Sequence, residues 1–445
     1  MARYDNRNAL ILGAGRSGKA AARLLLERGG RVAIVDEKWP GQAMAECSTE
    51  GISCLTSDHE HLPDGAYDLV IVSPSFGLTH PWVETAQQRG LAIISELELA
   101  ANYWKGELIA VTGSKGKSSV IKCLTDTLNL AGVVAVTAGN YGIPLCERVL
   151  TCAAYGEGTL AVTEVSSFQL EHTRTFAPTL AAILNIQADH LDRHETLEAY
   201  SALKRKIFQA QVAGKATAFL PKEISILGVP QGVPVETFGV KPWDTWRYHE
   251  GNVVHGELTI PVTGFFNNMV LGPAAALITA MLTHLGIAPE IIAQGFATFQ
   301  PLPHRMQRLG TLNDVVIIDD SKATSLTATQ AALKMIAPAK ALLIAGGQLK
   351  EDDLDFLDLE LSKGVKQAYL IGDAAPALFE AWEDLCDCEQ CGDMKTAVDH
   401  ALANAAPGDV LLLSPGCASF DQYAGMAKRG EHFKECVEAH GPIQP

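Results

Sequence analysis

Short apolar and β-branched runs recur along the first hundred residues: NALILGAG, RVAIVDEK, DLVIVSPS and LAIISE, with helix-like stretches between them. This alternation predicts a parallel α/β sheet, the glycines and acids at the ends of the runs marking strand-to-helix turns. The pattern restarts at ELIAVTGSKGKSS and continues through TLAVTEVSS and LAAILNI. Residues 220–260 are polar and predict irregular structure, after which MVLGPAAALITAML reads as an apolar helix. The prolines of FQPLPHR suit a linker better than a helix, and a third series follows with DVVIIDDS, KALLIAGG, QAYLIGD and DVLLLSPG. Three consecutive α/β domains are expected, residues 1–104, 105–301 and 302–445.

Composition narrows the classes of partner. The 445 residues exceed one ordinary domain, and 47% hydrophobic against 19% charged positions fits a folded enzyme and not a disordered chain. The net charge of -16 repels nucleic acid and anionic membranes, so a phosphorylated substrate must meet a local cluster of cations or a bound metal. The N-terminus reads as a first strand, not a signal peptide. Met269–Leu282, the longest apolar stretch, is too short to span a bilayer. A cytoplasmic protein with no stable membrane insertion is expected, its ten cysteines reduced. Cys386, Cys388 and Cys391 could together hold a soft metal, but no matching CxxC or histidine pair lies nearby, so a surface loop is expected there.

Two glycine-rich turns carry candidate chemistry. The first strand ends in Gly13-Ala14-Gly15-Arg16-Ser17-Gly18 and the second in Asp36, the layout of a dinucleotide-binding fingerprint. Glycines that let a backbone approach a helix N-terminus serve any diphosphate, so this turn alone leaves NAD and a UDP-sugar both open. The second turn is more specific. A strand, Leu108 to Val111, runs into Thr112-Gly113-Ser114-Lys115-Gly116-Lys117-Ser118-Ser119 and then a helix, which makes a phosphate-binding loop. Its amides would cradle phosphates, Lys117 would add charge, and the Ser118 hydroxyl would help hold Mg²⁺. The loop is shortened, with Val111 where the ordinary motif has a glycine.

These residues, with EVSSFQLE, ILNIQADHLDRH, YSALKRKIF, LPHR, DDSKATS and LLLSPGCASFDQ in order over nearly the whole length, resemble the Mur ligase family. The resemblance implies a Rossmann-like N-terminal domain, a P-loop mononucleotide-binding central domain and a Rossmann-like C-terminal domain. It implies ATP-dependent addition of glutamate to UDP-N-acetylmuramoyl-L-alanine. The γ-phosphoryl group of ATP would activate the substrate carboxylate as an acyl phosphate, which the glutamate amine then attacks. It also implies two Mg²⁺ ions, with Ser118, Glu164, His190 and Lys204 as ligands, Lys204 in the form of a carbamate. Lys117, His190, Lys204 and Lys322 match catalytic positions. ATP would be held by Gly113, Ser114, Lys115, Gly116, Lys117, Ser118, Ser119, Asn267, Arg305 and Asp320. The UDP-substrate would meet Gly15, Arg16, Ser17, Asp36, Glu37, Lys38, Ser73 and Asn140, and glutamate would meet Thr324, Lys350, Ser419, Phe420 and Met426. The partners implied are small molecules only, and the expected state is a monomer.

Departures from the family pattern mark where the resemblance thins. Lys115 stands where asparagine is common and Lys38 where arginine is expected. Phe266 replaces a histidine and Val270 an asparagine on the adenine side, leaving Asn267 as the surviving match. Ser325, Phe420 and Met426 replace asparagine, leucine and phenylalanine near the glutamate pocket. DDSKATS favours the D-isomer, with an L-glutamate-adding relative as the alternative. An NAD-dependent dehydrogenase built on Gly13, Gly15, Gly18 and Asp36 would leave the phosphate loop, Lys204 and Ser419 unexplained. A non-catalytic homologue is opposed by the retention of Lys117, Glu164, His190, Lys204 and Lys322.

Overall fold

The computed structural model describes residues 4–224, 226–349, 354 and 357–444, and these form three sheets. The first sheet contains β1 (Asn8–Leu12), β2 (Arg31–Asp36), β3 (Ser53–Thr56), β4 (Leu69–Val72) and β5 (Ala92–Ser95), interleaved with α1 (Arg16–Glu27), α2 (Ala43–Thr49), α3 (Pro81–Gln88) and α4 (Glu96–Ala101). Its order is β3-β2-β1-β4-β5, parallel throughout. The central strands β1 and β4 are buried on both faces, hence their near-continuous apolar runs. The order reverses between β1 and β4, and in such sheets ligands bind beyond the carboxyl ends of the strands at that point.

The second sheet follows with β6 (Leu108–Thr112), α5 (Lys117–Leu130), β7 (Ala135–Gly139), α6 (Leu145–Thr151), β8 (Leu160–Glu164), α7 (Ser167–Leu170), β9 (Leu180–Ile183), α8 (Leu191–His194) and α9 (Leu197–Arg205). It is completed by β10 (Thr217–Leu220), β11 (Val235–Gly239), β12 (Trp246–His249), β13 (Asn252–His255) and β14 (Leu258–Pro261), then α10 (Gly272–His284) and α11 (Pro289–Thr298). The nine strands run β14-β13-β12-β11-β10-β9-β6-β8-β7. The expectation of irregular structure over residues 220–260 was wrong. Four short strands lie there, and the last three pair antiparallel in succession. They are only half buried, so they lack the apolar runs by which the other strands were recognised. The apolar helix begins at Gly272 with Pro273 in its first turn, so Met269–Leu271 precede it.

The third sheet comprises β15 (Gln307–Leu312), β16 (Val315–Asp319), α12 (Leu326–Ile336), β17 (Ala341–Gly346), α13 (Asp358–Gly364), β18 (Val365–Ile371), α14 (Ala375–Trp382), β19 (Asp387–Gly392), α15 (Met394–Ala403), β20 (Val410–Leu413) and α16 (Met426–Glu438). Its order is β15-β16-β20-β17-β18-β19, with β15 antiparallel to β16. β15 was not foreseen, because an edge strand with one wet face carries no apolar run. The segment expected to be a loop around Cys386–Cys391 is largely the opposite edge strand, β19. Residues 300–306 carry no helix or strand, as the prolines of FQPLPHR imply.

The chain divides into two compact units: residues 1–267 with 271–299, and residues 268–270 with 300–445. The first unit contains two sheets, and buried acids join them. Glu98 of α4 accepts the backbone N–H groups of Arg174, Thr175 and Phe176, together with the Thr175 hydroxyl. Glu96, two residues earlier, accepts the Cys146 N–H at the start of α6, and burial pushes its carboxyl up to about 7. Arg193 adds a third tie, donating to the carbonyls of Pro74 and Phe76 and pairing bidentately with Glu171. We expect Glu98→Gln to lower the stability of this unit by about 2–4 kcal/mol, because an amide N–H would then face backbone donors. The check is the unfolding midpoint of the full-length variant, and an unchanged midpoint would refute the role.

Candidate active site

In the first unit the phosphate loop is shaped by strand ends. β6 lies between β8 and β9, and the register sets Val111 beside Glu164 and Thr112 beside Ile183. Three strands therefore deliver their carboxyl ends to one place. Gly116 starts α5 at φ 82°, and a Cβ there would press on Leu184. Asn185, just past β9, clamps the loop from beneath: its Oδ1 accepts the N–H groups of Ser114 and Lys115, and its Nδ2 donates to the Lys115 carbonyl. Ser114 is tied in further by its hydroxyl, which donates to the Gln187 carbonyl and accepts the Gln187 N–H. The first-turn amides of α5, which have no partner within the helix, are what the loop presents to an anion.

Two lysines converge on this loop. Lys117 Nζ donates to the carbonyls of Gly113 at 2.8 Å and Ser114 at 3.0 Å. Lys204, 1% exposed in the last turn of α9, donates to the same Gly113 carbonyl at 3.0 Å and lies over the Tyr200 ring. Burial, with the Lys117 charge second, pushes the Lys204 ammonium down to about 7. Close by, Glu164 is buried at the end of β8. Asn140 Nδ2 donates to its Oε1 at 2.8 Å, while Oε2 is buried without a partner. An unpartnered carboxylate oxygen beside a phosphate loop fits a cation, and the loop leads into α5, whose first turn carries the buried Ser118. His190 has a positive φ of 55°, rare outside glycine, and an exposed ring near Phe168, with Asp189 alongside. Asp189 also pairs loosely with Lys115.

The first glycine turn is equally constrained. Gly13 has φ 103°, and a Cβ on Gly18 would lie 2.0 Å from the Gly13 carbonyl oxygen. Asp36 uses both carboxylate oxygens on backbone, accepting the Ala14 N–H at 2.7 Å and the Lys38 N–H at 3.1 Å. Ser73, just past β4, has a buried hydroxyl without a hydrogen-bond partner. Gly15 and Ser17 flank the start of α1. Arg16 pairs with Glu147 and the Gly142 carbonyl, Glu37 bonds His59, and the Lys38 side chain is exposed.

The second unit holds its own cluster at the ends of β16 and β20. Asp320 is buried; its carboxylate accepts the Met306 N–H and the Ser414 hydroxyl, and burial pushes its pKa up to about 7. Lys322 is lowered from the ordinary lysine value, by burial first and the Arg305 charge second. Arg429 of α16, fully buried, donates to the Ser321, Cys417 and Ala418 carbonyls and to the Ser321 hydroxyl. It fixes the two loops that carry Lys322 and Thr324 on one side and Ser419 on the other. Ser419 is buried, whereas Phe420 beside it is 69% exposed, and the Met426 carbonyl accepts from Ser321. Lys350 lies outside the described residues.

Residues 7–95 match the profile of the Mur ligase MurD-like N-terminal domain, 111–257 that of the Mur ligase middle domain, and 304–417 that of the Mur ligase glutamate ligase domain. A UDP-N-acetylmuramoylalanine--D-glutamate ligase of Geobacillus kaustophilus is 32% identical over 98% of both chains, and one of Solibacter usitatus is 34% identical over 98% of both. The chain belongs to the Mur ligase family. Solved Mur ligase structures share its fold: MurF from Thermotoga maritima in complex with ADP has a TM-score of 0.61 at 17% identity, covering 99% of each chain. MurC of the same organism has 0.59 at 16%, covering 97% of this chain and 99% of that one.

Within this Mur ligase, the adenine-side substitution has a structural reason. Phe266 is buried among Phe265, Phe296 and Phe299, so position 266 serves the core. Asn267 accepts from the Tyr248 hydroxyl, and among the described residues no hydrogen bond joins it to the phosphate loop. Asn185, Tyr200, Arg193 and Arg429 were not singled out by their types or spacing, because a side chain whose partners are distant backbone atoms leaves no local signature.

Asp320 yields a pH test. Its folded pKa is raised, so between about pH 4 and pH 7 the native state holds a proton that the unfolded chain has released, and stability falls as pH rises through that window. Asp320→Asn should gain on the parent protein by roughly 2–4 kcal/mol from about pH 4 to about pH 8. Chemical unfolding of both proteins at the two pH values checks this; a pH-independent difference would show that the carboxyl is not held protonated.

Proposed function

We propose that this protein joins D-glutamate to UDP-N-acetylmuramoyl-L-alanine with ATP, forming an amide, ADP and phosphate in the synthesis of peptidoglycan precursors. The observation that carries this reading is the convergence of Lys117, Lys204 and the Glu164 carboxylate, one oxygen of which has no partner, on one phosphate loop, in a chain full-length similar to D-glutamate ligases.

The residues support a division of labour. Loop residues 113–119 would hold the ATP phosphates, with Lys117 on the transferred group, while Asn267, Arg305 and Asp320 would serve the nucleotide from the other elements. Ser118 and Glu164 would hold one Mg²⁺, and His190 with Lys204 a second; bound there, the ions supply neutralisation of phosphoryl charge. The fit rests on the orphaned Glu164 oxygen and on the amine of Lys204. Burial eases loss of the first proton from the Lys204 ammonium; the neutral amine would then attack CO₂, the N–C bond forming as a second proton leaves to solvent, so that a cation beside Lys117 becomes an anionic carbamate. Gly15, Arg16, Ser17, Asp36, Glu37, Lys38, Ser73 and Asn140 would bind the UDP-substrate, the free Ser73 hydroxyl being the best supported of these. Thr324, Lys350, Ser419, Phe420 and Met426 would receive glutamate, and Lys322 would stabilise the acyl phosphate. The substrate carboxylate oxygen takes the γ-phosphoryl group, glutamate's amine adds to the acyl carbon, and phosphate leaves as the amide forms.

We place the domain boundaries at residues 104–105 and 301–302, in keeping with the three sheets. A cytoplasmic monomer suffices for this reading, since every role falls on this one chain. No helix among the described residues is long and apolar enough to cross a membrane.

Phosphate release from ATP with UDP-N-acetylmuramoyl-L-alanine should require D-glutamate and be near background with L-glutamate or no amino acid. Failure with both isomers would remove the proposal, and a preference for L-glutamate would reassign the stereochemistry. Lys204→Arg, which keeps charge but cannot form a carbamate, should cut turnover by at least about a thousandfold. It should also abolish incorporation of isotope-labelled bicarbonate as a carbamate signal, and undiminished turnover at limiting Mg²⁺ would sink this role.

A further inference from the structure

The three closely spaced thiols of the C-terminal unit do not gather. Cys386 and Cys388 lie 3.8 Å apart, sulfur to sulfur, and pack on the face of the sheet that also carries Leu378 and Trp382. Cys391 packs on the other face, against the cluster containing Tyr369, Met394 and Ala397. The pairing of β19 with β18 passes from Leu370–Gln390 to Ile371–Gly392, so Cys391 is the extra residue of a bulge. Bulges re-aim side chains. Here Cys391 Sγ, a carboxylate oxygen of Glu389 and a ring nitrogen of His400, on α15, all lie within 4.8 Å of one another.

We propose that Glu389, Cys391 and His400 form a binding site for a divalent transition metal of the zinc type, distinct from the phosphate-loop site. A thiolate, an imidazole and a carboxylate make a mixed sulfur, nitrogen and oxygen set that suits Zn²⁺ or Co²⁺ and not Mg²⁺. Three protein ligands leave a fourth, tetrahedral position for water. Bonds of about 2.0–2.3 Å put tetrahedral ligands about 3.3–3.8 Å apart, so Cys391 Sγ needs to close on the other two groups by at most about 1.5 Å, while the Glu389–His400 pair moves apart. His400 Nδ1 and Glu389 already share a hydrogen bond, which opens as the metal enters. The imidazole ligates neutral, the Cys391 S–H bond breaks as the S–metal bond forms, and the proton goes to solvent. Burial first, and then Glu389 and Asp393, disfavour a bare thiolate at Cys391, and the negative field of those two acids favours a dication. Side chains of Glu389 and His400 are 36% and 48% exposed, which leaves a path for the ion. The bound metal would pin α15 to an edge strand, where open backbone is otherwise a liability.

The test is titration of the full-length protein with Co²⁺ under a non-chelating reductant, followed by near-ultraviolet thiolate-to-cobalt absorption. The phosphate-loop residues offer no sulfur and give no such band. One equivalent should produce the band and Zn²⁺ should abolish it. Cys391→Ser should remove it, His400→Ala and Glu389→Gln should each weaken affinity about tenfold or more, and Cys386→Ser with Cys388→Ser should leave it. Retained ligase turnover confirms that each variant is folded. No band in the parent protein, a band surviving in Cys391→Ser, or a band lost with Cys386 and Cys388 would each overturn the proposal.

Discussion

Two lysine side chains donate to one carbonyl oxygen, that of Gly113, and much of the first unit follows from this crowding. Burial first, and repulsion by the Lys117 charge second, lower the proton affinity of Lys204. The arrangement is poised for an anion. A phosphoryl group or a carbamate relieves the repulsion; water alone relieves it poorly, because burial has already removed most of it.

Keeping the two amines together demands rigidity around Gly113. β6 is held between β8 and β9 by parallel pairing, Asn185 fastens the loop, and Tyr200 supports Lys204 from the side. The glycines are placed where side chains would collide: a Cβ on Gly139 would lie 2.2 Å from the Glu164 carbonyl oxygen, so the strand carrying the candidate metal carboxylate needs a neighbour without one. The buried ties of Glu96, Glu98 and Arg193 then hold the first sheet's glycine turn in the same compact unit.

What could be read from the sequence was whatever repeats or is local. The doubly buried parallel strands announced themselves by apolar runs, the two turns by glycine spacing, and the linker by its prolines. The half-buried strands β11–β14 and the edge strand β15 did not, since each exposes a face and carries mixed residues. Charged residues were the hardest to place. Glu98 in ELELAA looks like the solvated face of a short helix, yet it is buried because three backbone donors from another element point at it. Arg429 in MAKRGEHF has the same character: its partners are carbonyls of Cys417, Ala418 and Ser321, and no side-chain pattern could signal them. The cysteines failed differently, because closeness in sequence became separation in space once the strand's alternation and its bulge sent them to opposite faces.

The same electrostatic device recurs in each unit considered by itself. Lys204 is lowered by burial and by Lys117; Lys322 is lowered by burial and by Arg305. In a chain with net charge -16, isolated surface lysines would be surrounded by acids and would attract anions weakly. Setting two cations side by side, partly out of water, creates a local potential that the global charge does not cancel. The cost of assembling it is met on folding, so a substrate that brings negative charge encounters dipoles and cations already oriented, and little reorganisation remains when further charge develops during transfer. Asp320 fits this logic from the opposite side. Kept away from full ionisation by burial, it can donate or accept near the cations without neutralising them.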